Sequence, residues 1–351
     1  MAKKVCLLID RLASGGAEKM VANLSQSLVD NNYDVTIVIM RDDVKYDFKG
    51  QLYNFGKIKA SHTKYKAFQL FKAYFKAQKF DIIIDHRVRM HWLKELLFAK
   101  FVFRKFRVVY CVHHFDLSLY FPLVSVPFLA KQTLVSNKQI VAVSKMAKEE
   151  MSRQLGLNSR VIYNYPIKED VSEIKLEFKY IIAIGRLEKI KQFDVLIEAY
   201  KTSKLPTNNI NLLIFGEGSQ SDYLQSIITE NNLEELVSLK GFDVNVASYL
   251  KGAQALVMTS KSEGFPMVLI EAIQHKTPVI SFDCKSGPSE IIEHGINGIL
   301  VEDQKKAEFV AAINKLTDED FYSKLVDNLE AYNSPFTEEN TIQQWIDVIE
   351  A

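Results

Sequence analysis

Residues 262–272 read SEGFPMVLIEA and place two glutamates, Glu263 and Glu271, eight positions apart. Gly264, Phe265 and Pro266 follow the first, while the second sits among Val268, Leu269, Ile270, Ala272 and Ile273. The stretch comes directly after the apolar run ALVMTS, so it reads as a strand turning into a helix, with Pro266 at the first helical position. The amides of Phe265, Met267 and Val268 then form an anion site that the helix dipole reinforces. A carboxylate is repelled by any anion held there, so the two glutamates must face hydroxyl donors on either side of it. A diphosphate with a sugar at one end and a ribose at the other has that layout. Glu263, at the mouth, suits the sugar, and Glu271, more than a turn further in, suits the ribose diol. The plainer reading makes Glu263 a helix-start residue and Glu271 a solvated one. Burying Glu271 unpaired costs several kcal/mol, so it is exposed or bonded.

A second constellation lies in IIAIGRLEKIKQFDVLIEAY, where Arg186 follows Gly185 and Lys191 comes five residues later, with Lys189 an equal candidate beside it. Two cations at the carboxyl end of a strand neutralise a leaving diphosphate, the arginine as a planar fork and the lysine as a point charge. Glycines mark further turns. Gly15 and Gly16 separate the first strand from a helix and let the backbone approach a phosphate or sugar. Gly216, Glu217 and Gly218 end one strand, and Gly241 with Phe242 ends the next, where an aromatic face can meet a base. His113 and His114 end VVYCVHH, and either one can face a sugar. Asp85, His86, Arg87, Arg89 and His91 follow another strand and read as a polar rim for an acceptor. Their mixed charges make no metal site, and no metal is expected.

The elements that must position these groups are legible as alternation. KVCLLI, DVTIVIM, FDIIID, RVVYCVH and QIVAVS read as buried parallel strands, with helical spacing over 15–30 and 64–79. The pattern restarts after residue 175 with YIIAIG, INLLIFG, VSLKG, ALVMTS, PVISF and GILV. Two doubly wound α/β domains follow, 1–165 and 175–335, joined by a polar linker at 164–179. A final helix over 336–351, capped near Thr337, carries Ile342, Trp345 and Ile349 on one stripe.

The chain has 351 residues and a formal net charge of +1. Residues 1–170 nevertheless hold 28 Lys/Arg against 15 Asp/Glu, and residues 171–351 hold 16 against 28, so two domains of opposite sign meet different partners. No run is apolar enough to span a bilayer, and MAKKVCLLID, without a long apolar core or a small-residue cleavage site, does not read as a convincing signal peptide. The three scattered cysteines suggest reduced thiols in a cytoplasmic protein. A dinucleotide fingerprint is missing, which disfavours an NAD enzyme, and no motif for nucleic acid accompanies the basic half. Residues 57–107 carry 14 Lys/Arg against three acidic groups, with Phe68, Phe71 and Phe75 at helical spacing and LLFAKFVFRKFR beyond. Basic and aromatic together predict docking on an anionic membrane surface, against the alternative that the aromatic stripe is core.

Taken in order, SGGAEK, the G-R-L-x-x-x-K of Gly185 to Lys191, FGEGS and the E-x7-E of Glu263 and Glu271 resemble a GT-B glycosyltransferase of family 4, the large retaining group. The resemblance covers nearly the whole chain. It implies a GT-B fold, two Rossmann-like domains facing a central cleft, the first binding the acceptor and the second a nucleotide sugar. Arg186 and Lys191 match the diphosphate-stabilising pair, Glu271 the ribose contact and Glu263 the residue that holds the donor sugar. His113 resembles the histidine beside the donor ring, with His114 leaving the register open. The terminal helix is implied to cross back to the first domain. The chain departs from the family at Gln192, where a glycine is usual. The implied activity is sugar transfer from a UDP- or GDP-linked donor to a glycan or lipid-linked saccharide, without a cofactor or metal, at the inner face of the plasma membrane. Competing implications are a sugar-nucleotide epimerase, a phosphorylase-like enzyme or a non-catalytic sugar-binding subunit on the same fold.

Overall fold

The computed structural model describes residues 2–168 and 170–351; Glu169, inside the expected linker, and Met1 lie outside the described residues. The chain divides into two compact units, Met1–Tyr165 with Thr337–Ala351, and Pro166–Phe336. The first unit holds β1 (Lys4–Ile9), β2 (Asp34–Ile39), β3 (Gln51–Asn54), β4 (Ile82–Asp85), β5 (Arg107–Val112), β6 (Lys138–Ala142) and β7 (Arg160–Val161). The second holds β8 (Lys179–Ile184), β9 (Ile210–Phe215), β10 (Val237–Gly241), β11 (Ala255–Met258), β12 (Val279–Phe282) and β13 (Gly298–Val301).

The sheet orders are β3-β2-β1-β4-β5-β6-β7 and β10-β9-β8-β11-β12-β13, and neighbouring strands run parallel. The two sheets therefore share one winding: each grows from its first strand to one side, then reverses to the other. β1 lies between β2 and β4, and β8 between β9 and β11, so each sheet has a switch point where helices leave to opposite faces. Ligands of open α/β sheets bind beyond the carboxyl ends of the strands at such points.

The strands form where they do because Val, Ile and Leu run without alternation and are buried on both faces. The helix Gly16–Asp30 turns Met20, Val21, Leu24 and Leu28 inward, and the helix Phe193–Thr202 does the same with Phe193, Leu196, Ile197 and Tyr200. The last helix, Glu338–Glu350, belongs to the first unit. The Thr337 side chain caps it by accepting from the Asn340 amide at 3.3 Å. Trp345 and Ile349 are buried, Lys3 pairs with Glu350 at 2.6 Å, and Arg107 donates to the Ile349 carbonyl at 2.9 Å.

One expectation needs correction. In the helix Lys64–Gln78 the rings of Phe71 and Phe75 are fully buried, and Phe68 is partly buried against the same core. Phe71 stacks on Phe98 at 5.3 Å, and Phe75 meets Phe103 edge-on at the same distance. Spacings of three and four residues put these rings on one helix face, and that face packs on the sheet. Within LLFAKFVFRKFR, Phe98 and Phe103 are core and Phe101 is 55% exposed. The stripe that suggested a membrane surface is therefore mostly core. No helix among the described residues is long and apolar enough to cross a membrane.

Candidate functional site

In the second unit, the carboxyl ends of β8 and β11 carry the residues singled out from sequence. Gly185 follows β8, its amide donating to the Phe215 carbonyl at 2.9 Å, and Arg186 beyond it is exposed. The chain then forms a tight turn over Lys189–Lys191. Lys191 reaches Glu263 across the switch point, Nζ to Oε1 at 2.5 Å, with the two side chains 19% and 11% exposed. The backbone holds this pair in register. Lys261 donates its amide to the Ile190 carbonyl at 2.8 Å, and the Thr259 hydroxyl donates to the Gln192 carbonyl at 2.9 Å. Of the two lysines left open by sequence, Lys191 is the one that meets Glu263, while Lys189 is exposed.

Gln192, where the family usually has glycine, sits at φ 50° and ψ 44°. That left-handed geometry is the one glycine adopts without strain. The side-chain amide of Gln192 pairs with that of Gln304, which is itself left-handed at φ 60°, through bonds of 2.9 and 3.2 Å. A glutamine thus occupies a left-handed position, held there by a side-chain partner.

The FGEGS turn closes over the same loop. Leu187 donates to the Glu217 carbonyl at 2.9 Å, and Gln220 donates to the Leu187 carbonyl at the same distance. Gly216 is at φ 138°, and a Cβ there would sit 1.9 Å from the Gly185 carbonyl oxygen, so no other residue fits. Gly216 also donates to the Gly241 carbonyl at 2.7 Å, which places half-buried Phe242 beyond the neighbouring strand. Glu217 is exposed.

The helix that follows β11 begins at Met267, with Pro266 as its N-cap residue at φ −72° and ψ 104°. Pro266 therefore stands one position earlier than the sequence implied. Leu269 donates to the Pro266 carbonyl at 3.2 Å, so the leading amides are those of Met267 and Val268. Phe265 is buried edge-on against Phe336 at 5.3 Å, and the Ser286 hydroxyl donates to the Gly264 carbonyl at 2.7 Å. Glu271 is 7% exposed, which removes the reading of it as a solvated helix residue. Cys284 lies close to Glu263, and burial first, then that carboxylate, pushes its thiol far up, so it stays protonated.

The first unit's switch point is built differently. Gly15 is the extended N-cap of the helix Gly16–Asp30, and a Cβ on it would strike the Glu18 carboxylate at 2.2 Å. The residues after β4 do not form the expected rim, because most of them are buried: Asp85, His86, Arg87 and Arg89 are at most 2% exposed. Arg87 grips Asp85 with two bonds of 2.8 and 2.9 Å and Glu95 with a third of 3.0 Å. Burial pushes the Asp85 carboxyl up, but Arg87 outweighs it and holds the group below the usual carboxylate range. His91 alone of the five remains exposed.

His113 is buried, with Nε2 2.8 Å from Nδ1 of His86, a partner that sequence spacing did not indicate. Burial depresses both imidazoles, and for His86 the charge of His113 adds to it. His114 instead accepts from the Asp116 amide at 3.0 Å and stacks on Phe115. His86, His113 and Cys111 form a close group of possible metal-binding side chains. His86 turns one nitrogen to His113 and the other to Cys111 Sγ at 3.9 Å, so the three do not aim at one point. All three cysteines are free and buried.

Two family models match the chain in tandem, Glycosyltransferase Family 4 over residues 14–165 and Glycosyl transferases group 1 over residues 165–333. The chain is a group 1 glycosyltransferase of the family 4 kind. A glycosyltransferase of amylovoran biosynthesis from Erwinia amylovora is 28% identical to it, covering 89% of this chain and 90% of that one. The N-acetylgalactosamine-N,N'-diacetylbacillosaminyl-diphospho-undecaprenol 4-alpha-N-acetylgalactosaminyltransferase of Campylobacter jejuni is 27% identical, covering 93% of each. Among solved structures, Anabaena HepE in complex with UDP and glucose superposes with a TM-score of 0.77 at 19% identity, over 99% of both chains. That likeness carries the fold alone, which is GT-B. In this glycosyltransferase the E-x7-E element and the G-R-L-x-x-x-K turn therefore meet at one switch point of one domain, joined by Lys191 and Glu263.

Proposed function

We propose that this glycosyltransferase moves a sugar from a UDP- or GDP-linked donor to a glycan or lipid-linked saccharide, with retention of anomeric configuration, during assembly of a cell-surface polysaccharide. The observation that carries this reading is the Lys191–Glu263 pair at the β8/β11 switch point, with Arg186 at the end of the same strand. The pair joins a cation suited to a leaving diphosphate and a carboxylate suited to sugar hydroxyls, so donor binding exchanges one internal bond for contacts to both ends of the ligand. Arg186, Lys191 and the Met267 and Val268 amides stabilise the charge that grows on the departing β-phosphate. Glu263 orients the donor sugar and Glu271 holds the ribose. The acceptor hydroxyl attacks from the face that the leaving group vacates, and the departing phosphate takes its proton. The cations perform the charge neutralisation for which other transferases recruit a metal. The acceptor class rests on the named activities of the amylovoran and diphospho-undecaprenol relatives, and UDP on the HepE complex. The basic surplus of the first half suits an anionic membrane at the cytoplasmic face.

The test is a thermal-shift screen across UDP, GDP, ADP and their sugars, followed by NMR of the product's anomeric centre. One base should raise the melting temperature by mass action, and the new linkage should match the donor's configuration. An inverted product, or no nucleotide response, would refute the reading.

A further inference from the structure

Arg89 is 1% exposed, and none of its three guanidinium nitrogens has a hydrogen-bond acceptor. Two aromatic rings pack against it: the guanidinium carbon lies 4.2 Å from the Tyr110 ring centre and 4.9 Å from that of Phe121. Tyr110 is fixed in turn, its hydroxyl accepting from the Val135 amide at 3.3 Å. Ring contacts of this kind give a guanidinium a cation–π attraction but supply no acceptor for its N–H donors. The neighbouring Arg87, whose other nitrogens hold Asp85 and Glu95, also keeps Nη1 buried without an acceptor. A buried cation with an empty edge is rare, because burying a charge is costly unless hydrogen bonds repay it. The position matters as well. Arg89 follows β4, and β4 with β1 makes the switch point of the first sheet, the place where such sheets take ligands. The Asp10 carboxylate at the end of β1 accepts from the Val88 amide at 2.9 Å, which ties the two strand ends together beside it.

We propose that Arg89 is an anion-binding residue of the acceptor domain, its open edge completed by an oxyanion of the acceptor. The inference rests on the first unit being the acceptor-binding domain. The fork of an arginine fits a phosphate or a carboxylate with two parallel bonds, so the ligand group is either the phosphate that links a saccharide to its carrier lipid or the carboxylate of a uronic acid. The stretch Leu117–Phe121 covers the site, with Leu119 accepting from the Arg89 amide at 2.7 Å. The anion enters as this stretch moves aside. Just beyond it Leu123 is held at φ 58°, a left-handed geometry strained for a leucine. Contact with two buried rings holds the guanidinium in place before the ligand arrives, so little side-chain freedom is lost on binding.

The experiment uses the full chain carrying Arg186→Ala, which weakens the donor-side anion site, and the same chain with Arg89→Met added. Inorganic pyrophosphate stands in for the lipid phosphate and glucuronate for a uronate, each followed by thermal shift and calorimetry. At least one of the two should raise the melting temperature of the Arg186→Ala chain by several degrees. The Arg89→Met chain should lose that response, and Arg89→Lys should recover part of it. Arg89→Met should also melt no lower than its parent, because no protein acceptor is left unpaired by the change. Which anion responds separates the two ligand sources. An anion shift of unchanged size in the Arg89→Met chain overturns the proposal. So does a chain that answers neither anion and melts several degrees lower with Arg89→Met, since the guanidinium would then be a structural brace. Neither readout involves sugar transfer, so a donor assignment that failed would leave this result intact.

Discussion

The two sheets of this glycosyltransferase are wound in the same order, yet their switch points hold charge in opposite ways. At β8/β11 the charges stand near solvent: Arg186 is exposed, and the Lys191–Glu263 pair is partly so. At β1/β4 the Asp85–Arg87–Glu95 group is at most 3% exposed, with every carboxylate turned to the same guanidinium. Topology fixes where charged side chains collect, while local packing decides whether they are available to a ligand or locked into the core. The strongest way to break this contrast is Arg87→Met. It strips the buried Asp85 carboxylate of its guanidinium and leaves Glu95 with only Lys94 at 3.5 Å, and removing one partner of a buried ion pair costs about 3–5 kcal/mol. The melting temperature should drop sharply, or the chain should fail to accumulate folded. A stability change no larger than that of an exposed substitution would show that the buried group is not the brace described here.

At the other switch point the largest effect should fall on rate. Arg186→Ala should lower kcat by about 10²–10³, the scale of a lost oxyanion donor, while the melting temperature stays within about a degree or two because the side chain is exposed. Equal turnover in parent and variant would remove Arg186 from the machinery. A large loss of stability would erase the distinction between the two regions.

Acid should separate the domains as well. His86 and His113 are held neutral by burial, and His113 titrates down near about 4 in the folded chain. An unfolded histidine titrates near about 6.5. Between those values the unfolded chain binds the extra protons, so stability is fully present above about 6.5 and falls as the pH drops below it. Each imidazole contributes about 1.4 kcal/mol per pH unit in that window. Asp85, held low by Arg87, stays ionised through this range and adds nothing to the slope. Melting curves from pH 7 to pH 4.5 should show unfolding of the first unit advancing, and His113→Gln should flatten the dependence. A slope that survives both His113→Gln and His86→Gln would place the acid sensitivity elsewhere.

Much of this arrangement was readable in the sequence, and what was not has a common cause. Apolar runs announced most strands of both sheets but not the edge strands β3 and β7, and Gly185, Arg186 and Lys191 could be assigned to the end of one strand and Glu263 to the end of another because each βα turn brings short spacings together. Burial set by distant partners was not readable. Phe71 and Phe75 carry the period of any amphipathic helix, and nothing local says whether the face meets a sheet or a bilayer. Arg87 and Arg89 look like surface charge after a strand. A cue existed in Asp85 two residues before Arg87 and Glu95 eight after, but only the turn that brings Glu95 back makes it a cage. The His86–His113 contact spans 27 residues and two strands. Gln192 is the converse case. Its backbone answers to the loop, while its identity answers to Gln304, 112 residues away.

The Lys191–Glu263 bond is the point where the comparison can be sharpened most finely. It is short, at 2.5 Å, but neither side chain is fully buried. Partly solvated pairs of this kind contribute about 1 kcal/mol or less, far below the Asp85–Arg87–Glu95 group. A double-mutant cycle of Lys191→Met and Glu263→Gln, read by denaturation, should give a coupling of about 1 kcal/mol in the free enzyme. Repeated at saturating nucleotide sugar, the coupling should shrink toward zero, because Lys191 then faces phosphate and Glu263 faces hydroxyls. Turnover should respond in the opposite sense: either single change should lower kcat well beyond what its stability effect explains. The bond is then an apo-state placeholder that keeps both groups ordered at low energy until the donor replaces it. A coupling above about 3 kcal/mol, the range of buried pairs, would mean that the pair is structural and that its opening is too costly to precede each turnover. An unchanged coupling with donor bound would mean that the ligand does not come between them.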